Sequence, residues 1–205
     1  MMNLLFLQEM PLEARDKILF AALELFTSQG YKNTTILEVV ELARVSKTTF
    51  YQHFNSKEEL LVHLFKQLAE EIIAEIADAV EREEKITYKA YAGIRRYLEI
   101  CISQSRAAKL LLVESVGISR TVEKVRREAH QIFAGQIFQT VQGVVTESLS
   151  KEEIRIISQA MVGAINEVVV QNLFSSEKSV EIDALARLLN RIVVGSFVNL
   201  SLLKA

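Results

Sequence analysis

The sequence predicts an all-α protein, and three of its properties support that class. Half of the 205 residues are hydrophobic, whereas the chain contains only one Pro and seven Gly. Apolar residues recur every three or four positions over long stretches, which is the period of an amphipathic helix. Dipeptides typical of β-turns are almost absent. We therefore expect a small N-terminal helical domain over residues 1–57 and a larger helical domain over residues 58–205.

The first ten residues, MMNLLFLQEM, are apolar, but they lack the basic segment and the small-residue cleavage site of a signal peptide. The favoured interpretation is a frayed tail, or an upstream start codon before Met10, and the alternative is a short arm or an extra helical turn that packs on a neighbour. No apolar run approaches the roughly 18 residues of a membrane span. A lone Cys101 cannot form an internal disulfide, so a soluble, cytoplasmic protein is expected.

The first long helix is expected to begin at Pro11, because proline suits the first position of a helix. Gly30 is predicted to end this helix in a left-handed cap, with Tyr31 folding back as an apolar contact.

Residues 34–57, TTILEVVELARVSKTTFYQHFNSK, predict two short helices that meet at a tight turn. Thr35 and Glu38 have the spacing of a capping box, and Ser46 is a good N-cap for the second short helix. That helix is too short to be stable alone, so it must be docked. The predicted shared core consists of Leu19, Phe26, Ile36, Val40, Val45, Phe50 and Phe54.

The exposed side chains of the second short helix are expected to be hydrogen-bond donors, and none of them is acidic. A docked helix with such a face suits the major groove of DNA and its phosphates. The net charge of −2 does not indicate a nucleic-acid-binding protein, but four basic residues lie within 31–57 against two acids. The alternative interpretation is an ordinary helical hairpin with a solvated polar face.

The sequence of residues 15–60 resembles that of the DNA-binding domain of the TetR (tetracycline repressor) family of bacterial transcription regulators. Its first helix and the turn that follows carry Ile18-Leu19, Ala21-Ala22, Leu25-Phe26, Gly30-Tyr31 and Thr34-Thr35. The second part carries Ala43, Val45-Ser46-Lys47, Thr49, Tyr51, His53-Phe54 and the run SKEEL at 56–60.

The resemblance implies a dimeric regulator, most often a repressor, whose third helix enters the major groove. The residues expected to contact bases or phosphates are Thr34, Thr35, Arg44, Ser46, Lys47, Thr48, Thr49, Tyr51, His53 and Lys57. The family usually has Gly where this chain has Arg44, so either the turn tolerates the side chain or the guanidinium reaches a phosphate. Thr48 also replaces a common Gly.

A fourth helix is predicted over about 56–84, with Ser56 and Glu59 as a second capping box. It is long enough, at about 40 Å, to connect the DNA-binding domain to a separate body. Five more helices are predicted at Thr87–Ser103, Arg106–Val116, Arg120–Leu149, Lys151–Phe174 and Val180–Leu203.

The last two predicted helices are apolar on nearly all sides, more than one domain of this size usually buries. We expect them to pair with their copies in a homodimer, and the alternative is a fully intramolecular core. The predicted interface residues are Val168, Leu185, Leu189, Ile192 and Phe197. Such a dimer would place two recognition helices one DNA turn apart on a palindromic operator.

No catalytic or metal-binding constellation is recognisable, so neither an enzyme nor a cofactor is expected. Cys101 lies on an apolar stripe typical of a core.

Polar residues within apolar helices need partners, which points to a pocket for a small lipophilic or aromatic effector. The predicted lining residues are Tyr91, Glu114, Phe133, Ile137, Asn166 and Glu167. The polar members could instead bond to one another or lie at the dimer interface. The sequence thus predicts a ligand-responsive DNA-binding regulator, and the alternative is a protein-interaction factor of the same fold.

Overall fold

The computed structural model describes residues 4–142, 149–173 and 181–202, and every regular element within these ranges is helical. The predicted all-α class is therefore confirmed. A single turn of 3-10 helix at Leu4–Phe6 precedes the helices. These are α1 (Ala14–Ser28), α2 (Ile36–Ala43), α3 (Lys47–His53), α4 (Lys57–Arg82), α5 (Ile86–Ser103), α6 (Ser105–Lys109), α7 (Arg120–Gln142), α8 (Lys151–Leu173) and α9 (Ile182–Leu202).

Most predicted boundaries lie within two residues of the observed ones, but two predictions need correction. Helix α1 begins at Ala14 and not at Pro11; Leu12 is 89% exposed, so an earlier start would bury no apolar surface there. The predicted helix Arg106–Val116 is instead α6 followed by one π-helical turn at Leu110–Glu114. The predicted continuation of α7 over 143–148 lies outside the described residues.

Two compact units divide the chain, and both are discontinuous in sequence. The first unit comprises Met1–Glu71 and Gln104–Arg127, and the second comprises Ile72–Ser103 and Glu128–Ala205. Helices α4 and α7 therefore each contribute residues to both units. The packing does not divide the chain at residue 57, and the functional boundary between 1–57 and 58–205 stays a prediction.

The core of the first unit is built from aromatic and aliphatic side chains of α1 to α4. Phe26 and Phe50 are fully buried, and Phe54 is 1% exposed. The rings of Phe50 and Phe54 lie 5.9 Å apart between centroids. Of the predicted core, only Ile36 and Val45 are partly exposed. Burial on this scale contributes about 1.5–3 kcal/mol for each large side chain.

The N-terminal 3-10 turn is part of the first unit, so a frayed tail is the wrong interpretation for residues 4–6. Leu4 and Leu5 are 1% and 2% exposed. Their backbone N–H groups donate to the two carboxylate oxygens of Glu71 in α4, at 2.8 and 2.7 Å. The packed arm is the interpretation that the structure confirms.

In the second unit, α9 packs along α5, and α8 contacts both helices. Its buried side chains include Leu98, Cys101, Val169 and Val193. Burial raises the pKa of the Cys101 thiol to about 12, so this residue belongs to the core, as predicted. None of the described helices combines the length and the apolar character that crossing a membrane requires.

The Glu71 carboxylate should stabilise the first unit by holding the N-terminal turn. We expect Glu71→Ala to lower the free energy of unfolding by about 1–3 kcal/mol, because two backbone donors lose a charged acceptor. The measurement is urea denaturation. Glu70→Ala is the matched control, since Glu70 is the exposed neighbour on the same helix. Equal stability of the two variants would contradict a role for the carboxylate.

Candidate DNA-binding surface and internal cavity

Helix α3 is positioned by its N-cap and by two aromatic anchors. Ser46 Oγ accepts a hydrogen bond from the Thr49 backbone N–H at 2.9 Å, which confirms the predicted cap. The rings of Phe50 and Phe54 are buried and anchor the helix, as expected. The Phe54 ring lies against His63 of α4 and beneath the Arg15 guanidinium of α1. The opposite side of α3 is therefore held outward.

The recognition face, as we call the exposed side of α3, consists of polar side chains. Tyr51 is 47% exposed, and its ring packs edge-on against Phe50 with centroids 5.3 Å apart. Thr49 is only partly exposed. The members of the recognition face are Lys47, Thr48, Tyr51, Gln52 and His53. All can donate hydrogen bonds, and none carries a negative charge.

Arg44 adopts the left-handed conformation at the end of α2, with φ 53° and ψ 46°. The turn geometry is therefore kept although a non-glycine residue occupies it, at a cost on the order of 1 kcal/mol. The Arg44 side chain is exposed, and so is that of Lys47. Among the ion pairs of the described residues, none includes either cation, so both charges face solvent.

The predicted capping box of α2 is present. Thr35 Oγ1 accepts from the Glu38 N–H at 3.2 Å, and Glu38 Oε2 accepts from the Thr35 N–H at 2.7 Å. The hydrogen bonds that the Thr35 N–H and hydroxyl donate to the Glu38 carboxylate lower the pKa of this carboxyl. The second box is only half present. Ser56 Oγ caps the Glu59 N–H, but the Glu59 carboxylate accepts from the Asn55 N–H and amide instead.

Thr34 needs correction as a DNA contact, because it is only 1% exposed. Its hydroxyl donates to the Gly30 carbonyl at 2.9 Å and accepts from the Gln29 amide at 3.3 Å. Gly30 itself has φ 85°, which confirms the predicted left-handed end of the first helix. Thr34 therefore holds the turn between α1 and α2.

Lys57 also turns inward, although a phosphate contact was predicted. Its ammonium lies 2.8 Å from the Tyr31 carbonyl, 2.6 Å from the Thr34 carbonyl and 3.5 Å from the Lys32 carbonyl. It also lies 4.4 Å from the centroid of the Tyr31 ring. Three carbonyls match its three N–H donors, so this conformation leaves none for a phosphate. Partial burial lowers the pKa of Lys57.

The second unit contains a cavity of about 80 Å³ between its helices, and this cavity is partly open to solvent. Apolar side chains dominate its wall, and the polar lining residues are Tyr97, Gln136, Thr140 and Asn166. Gly93 also lines it, where α5 approaches α4. The remaining lining residues are Ile76, Val80, Ala90, Ile94, Phe133, Ile137, Val141, Val162, Ile165 and Val193.

Two of the polar lining residues, Tyr97 and Asn166, are hydrogen-bonded to each other. The Tyr97 hydroxyl donates to Asn166 Oδ1 at 2.7 Å. Asn166 Nδ2 lies 3.4 Å from Nε2 of His130, and the Tyr97 ring lies 5.9 Å from that of Phe133. Burial raises the pKa of Tyr97 well above its ordinary value, so its hydroxyl stays protonated as a donor.

Three of the six predicted lining residues, Phe133, Ile137 and Asn166, do lie on the cavity wall. The other three do not. Tyr91 donates to the Asp183 carboxylate, Glu114 belongs to the first unit with Lys109 at 3.7 Å, and exposed Glu167 accepts from Gln171. Polarity within an apolar helix predicted these three residues, but polarity alone does not show the direction of a side chain.

Tyr97 is the most informative residue that the sequence analysis missed. It lies three residues after Ile94 and four before Cys101, so helical spacing alone places it on the same stripe. A buried phenol needs a hydrogen-bond partner, so the sequence already indicated that Tyr97 would form a polar contact. The sequence does not indicate that the partner is Asn166, on a helix distant in sequence.

The predicted interface residues divide into two groups. Leu189 and Phe197 are buried within the second unit at 3% and 1% exposure, so they cannot contact another chain directly. Ile192 is 45% exposed, whereas Leu185 and Val168 are partly exposed. The exposed large apolar side chains of α8 and α9 are Ile156, Leu188, Ile192, Val198 and Leu200.

The fold and the recognition face define a class of protein, the all-helical regulators with an N-terminal helix-turn-helix. Residues 18–64 match the sequence model of the bacterial regulatory proteins of the tetR family. Over these residues the chain is similar to this family of bacterial regulatory proteins.

A fatty acid metabolism regulator protein of Bacillus subtilis (strain 168) is 22% identical over 157 residues, covering 74% of this chain and 79% of that protein. The fatty acid degradation regulator FadR of Bacillus halodurans superposes with a TM-score of 0.77 at 18% identity, over 91% of this chain and 97% of its own. FadR of B. subtilis, in complex with stearoyl-CoA, gives 0.73 at 21% identity, over 87% and 96%. These two structures support the same fold.

The left-handed Arg44 can be tested by comparing two substitutions. We expect Arg44→Gly to raise the free energy of unfolding by about 0.5–1 kcal/mol relative to Arg44→Ala, because only glycine removes the Cβ that disfavours this conformation. Denaturant unfolding measures the difference. Equal stabilities would show that the turn carries no strain.

Gly93 should be required for the packing of α5 against α4 in the second unit. A Cβ at this position would lie 2.9 Å from Val80 Cγ2 and 3.4 Å from Ile76 Cγ2, and the branched Val80 side chain cannot turn away freely. We expect Gly93→Ala to be less stable than Gly135→Ala by about 1–3 kcal/mol. Gly135 is the matched control in α7, where a Cβ would meet nothing within 4 Å. Thermal unfolding of both variants measures the difference, and equal midpoints would contradict it.

Proposed function

We propose that this regulator binds a palindromic operator as a homodimer, acts as a repressor and leaves the DNA when a small lipophilic or aromatic molecule binds. The observation that carries the proposal is the recognition face. It combines exposed donors with the solvent-facing charges of Arg44 and Lys47, on a helix anchored by Phe50 and Phe54.

The contacts with DNA would come from α3 and from the ends of α2. Lys47, Thr48, Tyr51 and His53 would face base edges or phosphates in the major groove. Arg44 and the exposed caps Thr35 and Ser46 would hold phosphates, and Thr49 would contribute only its exposed part. The buried Thr34 and the inward Lys57 are left out of this set, and we assign them to the support of the turn.

Apolar side chains on α8 and α9 support a homodimer. The large exposed ones are Ile156, Leu188, Ile192, Val198 and Leu200, so burying them against a second copy would remove apolar surface from water. A two-fold dimer presents two copies of α3, and a palindromic operator matches that symmetry. A cytoplasmic location, with access to the chromosome, stays a prediction.

The apolar cavity supports a lipophilic effector. FadR of B. subtilis has been crystallised with stearoyl-CoA, which adds support for an acyl compound. The cavity of about 80 Å³ is smaller than the roughly 300–1,000 Å³ of typical ligand sites. An acyl chain would therefore have to enlarge it, and the effector would act by selecting an expanded state.

Ile76 and Val80 would carry the response, because they belong to α4 and line the cavity. The same helix supplies residues 57–71 to the first unit. An effector that displaces these side chains would shift α4 between two states, only one of which binds the operator.

The alternative is a protein-interaction factor of the same fold that acts without a small-molecule inducer. The small volume of the cavity favours this alternative, and the exposed apolar side chains of α9 would then bind a partner. It predicts DNA binding that no lipophilic molecule reverses.

The first experiment is selection from a randomised double-stranded DNA library, followed by salt titration of the selected sequence. We expect a palindrome whose affinity falls steeply with salt, because phosphate contacts release counterions. Tyr51→Ala should abolish specific binding, whereas Tyr88→Ala should not. Tyr88 is a matched control in the second unit, with 48% exposure against 47% for Tyr51.

The absence of any enriched sequence, together with no binding at low salt, would overturn the DNA proposal. Arg44→Ala tests the phosphate contact separately. If the guanidinium binds one phosphate, the slope of log affinity against log salt should become shallower by about 0.9. An unchanged slope would show that the turn merely tolerates the residue.

A further inference from the structure

We infer that Asn166 recognises a neutral hydrogen-bond acceptor of the effector, such as an ester, thioester or ketone carbonyl, and that the cavity rejects an ionised carboxylate. This inference rests on the proposed response to a lipophilic molecule. It narrows that proposal to the charge and hydrogen-bonding chemistry of the group that enters the cavity.

The orientation of the Asn166 amide is set by Tyr97. The Tyr97 hydroxyl donates to Oδ1 at 2.7 Å, which leaves the NH₂ end of the amide as the donor side. That end carries two N–H groups. The contact with His130 Nε2, at 3.4 Å, accounts for one of them. The remaining N–H can be donated to a ligand, because Asn166 lies on the cavity wall.

The cavity wall offers no charge that could balance an anion. Among the described residues that line it, none is Asp, Glu, Lys, Arg or His. The nearby titratable groups are Tyr97 and Cys101 of α5 and His130 of α7. Burial raises the pKa of both Tyr97 and Cys101, so they are neutral at pH 7. An ionised carboxylate would lose its hydration here without a cationic partner, which is strongly unfavourable.

The other polar lining residues are compatible with a neutral ligand. The Thr140 hydroxyl donates to the Gln136 carbonyl at 2.8 Å, so its proton is already used. The Gln136 side chain is a second carboxamide on the wall, and it too can donate without carrying charge. A carbonyl oxygen with an aliphatic tail therefore matches both the donors and the apolar surface.

The experiment compares three probes of similar length by isothermal titration calorimetry at neutral pH: methyl hexanoate, hexanoate and heptane. We expect the ester to bind more than about tenfold more tightly than the carboxylate, because the anion has no partner in the cavity. Asn166→Leu should weaken ester binding about three- to tenfold, since it removes the N–H donors without adding a charge. The same variant should leave heptane binding within about threefold of wild type.

A matched control separates the loss of this amide from a general effect on folding. Asn172→Leu makes the same chemical change at an exposed amide of α8, and it should leave all three affinities unchanged. Circular dichroism of each variant shows whether the helices are retained.

The outcomes distinguish this inference from the proposed function. If the carboxylate binds as tightly as the ester or more tightly, or if Asn166→Leu leaves ester binding unchanged, the inference fails while a lipophilic cavity remains supported. If none of the probes binds the wild-type protein, the lipophilic effector itself fails, and the inference with it.

Discussion

The attachment of α3 through Phe50 and Phe54 is the interaction on which the DNA-binding surface depends. A helix of seven residues that includes two threonines and two aromatic rings has little stability of its own. Its geometry is imposed by burying one side, and the donor side is exposed as a consequence. The Ser46 cap and the left-handed Arg44 then set the direction in which α3 leaves the turn. Loss of the aromatic anchors would therefore remove the recognition face without changing any of its residues.

Lys57 shows how a positive charge can serve the architecture of this surface. Its ammonium bridges the carbonyls of Tyr31 and Thr34, near the N–H groups at the start of α2. Lys57, in the first turn of α4, thus satisfies carbonyl acceptors in the turn that precedes α2. This contact links α4 to that turn. Partial burial of the charge is compensated by three carbonyl oxygens and by the Tyr31 ring. The turn is consequently held by polar contacts as well as by the apolar core.

The cavity combines apolar surface with a small polar group that is satisfied internally. Tyr97 and Asn166 bond to each other, so the unliganded unit has no large penalty for burying them. A ligand would form hydrogen bonds only with the N–H donors that these bonds leave unused. This favours chemical selectivity over high affinity. The close approach of α5 to α4 at Gly93 keeps the cavity small.

Local chemistry let the sequence by itself determine the helical class, most helix boundaries, the capping box of Thr35 and Glu38, the Ser46 cap and the aromatic anchors. These features depend on residues within about one helical turn of each other.

Tertiary structure alone decided where side chains point when two helices compete for them. It turned Thr34 and Lys57 inward, buried Leu189 and Phe197 within one unit, and removed Tyr91, Glu114 and Glu167 from the cavity. It also folded the N-terminal arm against Glu71, because apolar burial and two backbone donors outweighed the freedom of a tail. Partners distant in sequence leave no local pattern, and their contacts exist only in the folded chain.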